Sequence, residues 1–462
     1  MPDIVSPIDG RVAYSFAQLD EDAAVRRLAK AEAVQREWRR TPLSERVTLC
    51  LGMLDAYAAK VDTYSEQITR MMGKPLGQAR GEFERSMTER VKHLCSIAAD
   101  ALADEPLPEV NNLRRWIRNE PVGVVLDIAA WNYPLLIAVN VIVPAVLAGN
   151  SVLVKHASQT ALVADQFEDS FLAAGAPNGL VQAMHLDHDT TAELIGTRRL
   201  GYVSFTGSVR GGHEVYRTVA KDNFIGVGLE LGGKDPALVL PDCDFDFTVE
   251  NLVDGAFYNA GQSCCGIERI YVHESLFDRF VEAYVAKTKE YVVGDPLDPK
   301  TTLGPMVDAK SADAVRKQIE QAIDRGAKAL VDPRHFRVPD TSRAYLAPQV
   351  LVDVDHSMAV MKEESFGPVI GIMKVRDAAH GVELMNDSDY GLTASIWTSD
   401  AKRGETLAGY VEAGTVYMNR CDYLDPGLAW TGVKDSGHGC SLSRLGFLQV
   451  TRPKSYHLRV KT

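Results

Sequence analysis

The chain has 462 residues, 46% of them hydrophobic and 24% charged, with a formal net charge of −12. That length exceeds what one core fills, so two domains are expected, and the composition is that of an ordinary globular protein. A balance this acidic argues against nucleic acid or an anionic membrane as partner, since both select basic surface.

The first residues, MPDIVSPIDGRVAYS, lack the basic and apolar blocks of a signal peptide. From Asp20 to Lys60, and again from Gly81 to Ala103, apolar residues recur at spacings of three and four among Ala, Leu, Glu and Arg, which predicts helices. Residues 111–123, NNLRRWIRNEPVG, mix aromatic and basic side chains before a Pro-Val-Gly turn, as a hairpin or an edge strand at a subunit contact would. Past Pro121 short apolar strands alternate with glycine-bearing turns and helices. GVVLDIAA (123–130) leads into a helix from Pro134 through Leu147, whose apolar run is broken by Asn140 and Pro144 and is too short to span a bilayer. SVLVK (151–155) precedes a helix over Thr160–Ala174, and GYVSFTGS (201–208) precedes one from about Gly211 to Ala220. Such alternation predicts parallel βαβ units wound into an α/β sheet. A second α/β series runs from about Asp235 to Asn419, with PALVL, RIYVH, a helix near Leu276–Tyr291 and GTVYMN. The tail, FLQVTRPKSYHLRVK, alternates polar and apolar residues as an exposed strand offering a pairing surface does.

The seven cysteines, at 50, 95, 243, 264, 265, 421 and 440, form no C-x-x-C pair. Their odd number and irregular spacing argue against a disulfide framework or a metal site and suit a reducing cytoplasm. Two of them are adjacent, in GQSCC (261–265). Free cysteines are commonly small buried hydrophobes, and the alternative is a nucleophile. Upstream, LELGGK (229–234) sets Glu230 among leucines and glycines, where a carboxylate acquires a raised pKa suited to general-base work, or else pairs with a lysine at a strand end. WNYP (131–134) places Asn132 at a strand-to-helix turn, where its amide either donates to a developing oxyanion or only shapes the turn.

Taken together, in this order, the motifs resemble those of the aldehyde dehydrogenase superfamily over essentially the whole chain. The pattern F-x-x-x-G-Q-x-C-x-x-x-x-R is met by Phe257, Gly261, Gln262, Cys264 and Arg269; LELGGK, WNYP and EESFGP (363–368) match its glutamate, asparagine and late motifs. The resemblance implies an α/β fold of two doubly wound parallel-sheet domains with a small β oligomerisation element. It implies a dinucleotide-binding domain over 1–110 and 121–232, a catalytic domain over 233–435, and oligomerisation strands at 111–120 and 446–462 of a homodimer or homotetramer. It selects Cys264 over Cys265 as nucleophile. Cys264 would attack an aldehyde, Asn132 and the Cys264 backbone N–H would hold the oxyanion, hydride would leave to NAD or NADP, and Glu230 would activate water to release the acid. Because Glu230 is present, water is favoured over coenzyme A as acyl acceptor; a coenzyme A-acylating semialdehyde dehydrogenase and a non-catalytic protein on the same fold are the alternatives.

No G-x-G-x-x-G follows an early strand. FTGSVRGG (205–212) takes its place, with Gly207 and Gly212 framing a turn and Ser208 opening a helix N-terminus for the pyrophosphate. The resemblance gives Lys155 to the adenine ribose, Glu364 to the nicotinamide ribose and Phe366 to the ring, with Trp131 and Leu231 beside the cofactor. Ser158 stands where NAD-preferring relatives carry glutamate; without that repulsion Lys155 is free to meet a 2′-phosphate, which leans toward NADP. Offsets from the motifs place Tyr133, Ile137, Asn140, Ser263, Cys265, Leu424 and Trp430 in the substrate pocket. A polar Asn140 and Ser263 suit a short polar aldehyde or semialdehyde, and the loop NRCDYLDPG (419–427) offers Arg420 to a carboxylate or Asp422 and Asp425 to an amine. The sequence departs from the family at Ala130, in place of proline, and in AWTGVKDSGHGCS (429–441). There Trp430 and Thr431 replace Phe and Gly, and Cys440–Ser441 replaces Arg-Glu, which calls into question that glutamate's proton-relay role.

Overall fold

A computed structural model describes residues 1–460. Three helices, α1 (Glu21–Trp38), α2 (Leu43–Ala58) and α3 (Val61–Met72), are followed by a π-helical turn at Glu82–Met87 that runs into α4 (Thr88–Ala101). Asp20 starts α1 by accepting from the Ala23 N–H at 2.7 Å, and the buried stripe Ala24, Leu28, Ala31, Gln35 and Trp38 follows the helical repeat.

Next come β1 (Glu105–Val110) and β2 (Leu113–Pro121), then β3 (Val124–Ala129), α5 (Pro134–Ala148), β4 (Ser151–His156), α6 (Leu162–Ala173), β5 (Val181–Ala183), β6 (Tyr202–Thr206), α7 (Val209–Asp222) and β7 (Gly226–Glu230). The second series is β8 (Asp235–Val239), α8 (Phe245–Phe257), β9 (Ile267–His273), α9 (Phe277–Thr288), β10 (Lys328–Ala329), β11 (Gln349–Val352), β12 (Val369–Val375), β13 (Thr393–Trp397) and β14 (Thr415–Met418). The chain closes with β15 (Gly437–His438) and β16 (Thr451–Arg459).

These strands form two large sheets. One runs β15-β7-β6-β3-β4-β5, parallel except for β15, and has the doubly wound order that reverses beside the first strand, β3. The other runs β10-β11-β12-β9-β8-β13-β14, parallel except for β10. Every residue of β3, β4 and α5 is buried, which is why those stretches read as near-continuous apolar runs. β15 leaves the second series and pairs antiparallel with β7, Gly437 opposite Glu230. That return brings residues near 440 beside the end of the first sheet.

The small third sheet, β16-β2-β1, is antiparallel and differs from the sequence reading in two places. β2 is its middle strand and forms a hairpin with β1, so of the two readings of that segment the hairpin holds and the edge strand does not. The sheet begins at Glu105 and not at 111, because EPLPEV carries prolines that hide a strand yet are tolerated on this exposed edge. Residues 446–449 finish a helix, Ser443–Gln449, anchored by buried Phe447, so strand pairing in the tail starts at Thr451. Among the described residues no helix is long and apolar enough to cross a membrane, and no three His, Cys, Asp or Glu side chains cluster as a metal site.

Candidate active site

Between α8 and β9 the chain makes a loop that only a narrow set of residues permits. Asn259, Ala260 and Gly261 take φ of 54°, 56° and 71° in succession. A β-carbon on Gly261 would collide with the Gly367 carbonyl, so glycine is required there on two counts. Side-chain amides then lock the loop. Asn259 Nδ2 donates to the Asn132 and Gln262 carbonyls, each at 3.1 Å, and Asn132 Nδ2 donates to the Gln262 carbonyl at 3.2 Å. Fully buried Gln262 donates to the Asn259 carbonyl at 3.0 Å and accepts from the Val307 N–H at 2.7 Å. Cys264 follows, half-buried, in a turn. Asn132 itself sits between β3 and α5, whose N-terminal Leu135 and Leu136 N–H groups donate to the Glu82 carboxylate at 2.9 and 3.3 Å.

Cys264, Glu230 and Asn132 border one cavity of about 370 Å³, a volume suited to a small-molecule ligand. Tyr133, Ile137, Asn140, Ser263, Cys265, Leu424 and Trp430 line the same cavity. Of the loop charges, the structure separates what the sequence left together. Arg420 is exposed, its guanidinium 3.4 Å from the Tyr423 ring centroid, and Asp425 turns outward to accept from the Gly427 N–H, so neither lines the cavity. Asp422 does line it and accepts from Ser263 Oγ at 2.6 Å and from Cys265 Sγ at 3.1 Å.

Burial and neighbouring groups shift several ionisable side chains of the cavity wall. Contact with Cys264, burial and the Asp422 carboxylate push the Cys265 pKa well up, holding it as an unreactive thiol. Burial raises the Glu230 pKa, while the Ser441 hydroxyl, the Arg90 guanidinium and the Trp430 indole pull it back. Ser441 Oγ donates to Glu230 Oε1 at 2.6 Å. Burial also raises the Asp422 pKa, opposed by Ser263, Cys265 and Lys74.

The sequence reading missed the wall contributed by the N-terminal helices. Arg90 of α4 lines the cavity at 5% exposure, donating to Asn140 Oδ1 at 3.0 Å and to the Leu136 carbonyl at 3.4 Å. Among the described residues it makes no salt bridge. Burial lowers its pKa, against the Cys265 thiol, the Glu230 and Glu82 carboxylates and Cys264. Its signal was available: Arg90 lies one helical turn before Leu94, on the buried stripe it shares with Val91, Leu94, Cys95 and Ala98. A charge on such a stripe is the exception that marks a site. Buried Lys74 pairs with Glu82 and lies 4.0 Å from the Tyr133 ring centroid.

On the far side of the loop lie the residues assigned to the cofactor. Lys155 is the penultimate residue of β4, 6% exposed, and burial lowers its pKa against nearby Asp187; among the described residues it has no ion-pair partner. Ser158 is exposed at the start of a 3₁₀ turn. Ser208 caps α7, accepting from the Gly211 N–H at 3.2 Å, and side chains at Gly207 and Gly212 would run into Phe205 and Leu231. Glu364 accepts from the Gly233 N–H at 2.9 Å, and burial pushes its pKa up to about 8. Phe366 meets Trp131 edge-on with centroids 5.5 Å apart. An unpaired ammonium, a capped helix N-terminus and an enclosed carboxyl fit a dinucleotide's phosphates and ribose hydroxyls.

The sequence profile of the aldehyde dehydrogenase family matches residues 2–456. The chain belongs to that family. It is 34% identical over 446 residues to a succinate semialdehyde dehydrogenase [NAD(P)+] of Escherichia coli, covering 96% of this chain and 94% of that protein. It is 33% identical to an aldehyde dehydrogenase of Paenarthrobacter nicotinovorans, covering 98% of each. The crystal structure of succinic semialdehyde dehydrogenase from Streptococcus pyogenes in complex with NADP+ superposes with a TM-score of 0.94 at 29% identity, covering 99% of each chain.

Proposed function

We propose that this NAD(P)-dependent aldehyde dehydrogenase oxidises a short aldehyde with an anionic tail, an ω-semialdehyde, to the acid, with NADP as preferred cofactor and Cys264, Glu230 and Asn132 as the reacting groups. The observation that carries the reading is the meeting of those three side chains on one cavity whose wall holds a buried guanidinium, Arg90, without a carboxylate of its own. Cys264 Sγ adds to the aldehyde carbon. The Asn132 amide and the Cys264 N–H meet the oxygen as it gains charge. A bound nicotinamide dinucleotide, held by Lys155, Ser208, Glu364 and Phe366, supplies the hydride acceptor. The acyl group is then a thioester on Cys264, and Glu230 takes a proton from the water that adds to it, freeing the acid and the thiol. The relatives named for succinate semialdehyde, several of them with NADP(+), support the substrate class and the cofactor. Exposed Ser158 beside Lys155 supports the same cofactor.

The test is Glu230→Gln, followed by cofactor absorbance with succinate semialdehyde. It should give a single burst of reduced cofactor and then slow turnover, with no requirement for coenzyme A in the parent enzyme. Wild-type steady turnover in the variant would remove Glu230 from the reaction. A preference for an aminoaldehyde would instead assign the tail-binding role to Asp422 and Asp254, both on the cavity wall.

A further inference from the structure

α5 begins without a cap of its own. Its N-cap residue, Tyr133, makes no side-chain bond to the first turn, and Pro134 at the first helical position has no N–H to satisfy. The Ile137 N–H already donates to the Tyr133 carbonyl at 3.1 Å, which leaves the Leu135 and Leu136 N–H groups as the two orphan donors of the helix. Both go to one atom, Oε1 of Glu82, which lies 53 and 54 residues earlier in the chain. The other oxygen, Oε2, accepts from Lys74 Nζ at 2.5 Å. The two side chains of that pair are 1% and 2% exposed, so the cap is a buried ion pair brought in whole from the N-terminal helices. Lys74 also lies 4.0 Å from the Tyr133 ring centroid, so the pair holds Tyr133, Leu135 and Leu136 together. Glu82 opens the π-helical turn Glu82–Met87, an irregularity of the kind found at functional sites. A buried ion pair adds little stability over apolar side chains of the same size, so its presence here points to a task other than stability.

Asn132 is the residue before Tyr133. From the side of the nucleophile loop, the Gln262 carbonyl takes one Asn132 Nδ2 hydrogen at 3.2 Å, and Asn259 Nδ2 donates to the Asn132 carbonyl at 3.1 Å. From the other side the Lys74–Glu82 pair holds the chain that follows. Resting on the reading of Asn132 as oxyanion donor, we propose that Glu82 is a positioning residue for the reaction. It carries the first turn of α5 on its carboxylate, with Lys74 as counter-ion, and so aims the remaining Asn132 N–H at the oxygen that gains charge when Cys264 adds to the aldehyde. Oxyanion donors act by being fixed before the charge develops, so a loosened turn weakens them without closing the pocket. The effect falls on aldehyde addition and hydride transfer, and leaves the intrinsic reactivity of the thiol and the binding of the aldehyde tail alone.

The experiment uses the full chain with NADP and succinate semialdehyde, and reads the rate of the first burst of reduced cofactor per titrated active site. Lys74→Met/Glu82→Leu removes both ions and the cap together. It should slow the burst at least fivefold while alkylation of Cys264 by iodoacetamide, which builds no oxyanion, stays within twofold of the parent. Lys74→Met/Glu82→Gln keeps an acceptor for the two N–H groups and should return the burst to within twofold of the parent. Asn132→Ala should cost the leucine pair less than it costs the parent, because the donor is already misaimed. A purely structural role would lower the melting temperature and the number of titrated sites and leave the burst rate per site unchanged. Should the leucine pair fail to fold, Glu82→Asp, which keeps the charge and shortens the reach, carries the test with the same expected slowing and the same non-additivity. A burst slowed less than fivefold, alkylation that slows in step with it, a glutamine pair as slow as the leucine pair, or a loss that multiplies in full with Asn132→Ala overturns the assignment. Asn132→Ala alone separates the two ideas: if it bursts at the parent rate, the oxyanion reading fails first; if it is slow while the Glu82 variants are not, only the positioning role fails.

Discussion

Replacing Arg90 with methionine should cost substrate selection far more than chemistry. The guanidinium is 5% exposed and its two hydrogen-bond acceptors are both neutral, Asn140 Oδ1 and the Leu136 carbonyl, so its charge is available to a bound anion. Two unit charges about 4 Å apart at an effective dielectric of about 20 attract by about 4 kcal/mol. Stripping water from the incoming carboxylate takes back roughly half, leaving about 2 kcal/mol, or about thirtyfold in kcat/KM. The assay is kcat/KM for succinate semialdehyde against an unfunctionalised aldehyde of similar length, in parent and Arg90→Met. The ratio should fall by about thirtyfold, while the plain aldehyde reports any indirect effect through Glu230 or Asn140. An equal fall for both aldehydes, or a parent enzyme that already prefers the plain one tenfold, refutes the assignment.

Cys264→Ala should abolish turnover while cofactor binding persists, and Cys265→Ala should keep most activity; the reverse order would move the nucleophile. NADP should be used at least as well as NAD, and Ser158→Glu should shift preference toward NAD by setting a charge beside the 2′-phosphate site, measured as the ratio of kcat/KM for the two cofactors. Ser441→Ala removes a donor that favours ionised Glu230, so Glu230 should protonate at higher pH. The acid-side fall in kcat should then move to higher pH, leaving less activity at the low end and parent-like activity above it; an unmoved profile would dissociate Ser441 from the base. The sheet of β1, β2 and β16, with the Trp116 and Tyr456 rings stacked at 4.4 Å, should join subunits into a dimer or tetramer. A monomeric mass at micromolar protein by light scattering would contradict that.

How much could be read from the sequence depended on where backbone geometry dictates residue type. Gly261 and Gln262 were legible because one fills a left-handed position against the Gly367 carbonyl and the other satisfies buried backbone groups from inside the loop; few other residues do either. Buried parallel strands such as Ser151–His156 were equally plain, since both faces demand apolar side chains. β1 was not legible, because prolines on an exposed edge erase the alternation that marks a strand. Arg90 and Glu82 escaped because their roles come from tertiary packing: the stripe of α4 marks Arg90 as a charge out of place, but nothing in local spacing says which helix either residue will face. The loop charges failed for the same reason, since whether Arg420 or Asp422 turns inward is settled by Ser263 and Cys265, far away in the chain.

Two of the departures from the family pattern, Trp430 and Ser441, meet at Glu230, where each pulls its pKa down. Ser441 stands where the family carries glutamate, and the return of the chain through β15 sets it on the Glu230 carboxylate. A glutamate there would set a second carboxyl against Glu230, and like charges in close contact raise one another's pKa. Burial, and then the Glu230 charge, push the Asp127 pKa well above the ordinary carboxyl range. Serine at 441 supplies a donor in place of an acid, and that donor pulls the Glu230 pKa back against the rise from burial. Two carboxyls of one sheet thus differ in their surroundings: Glu230 has the Ser441, Arg90 and Trp430 donors around it, and neither oxygen of Asp127 has a protein partner.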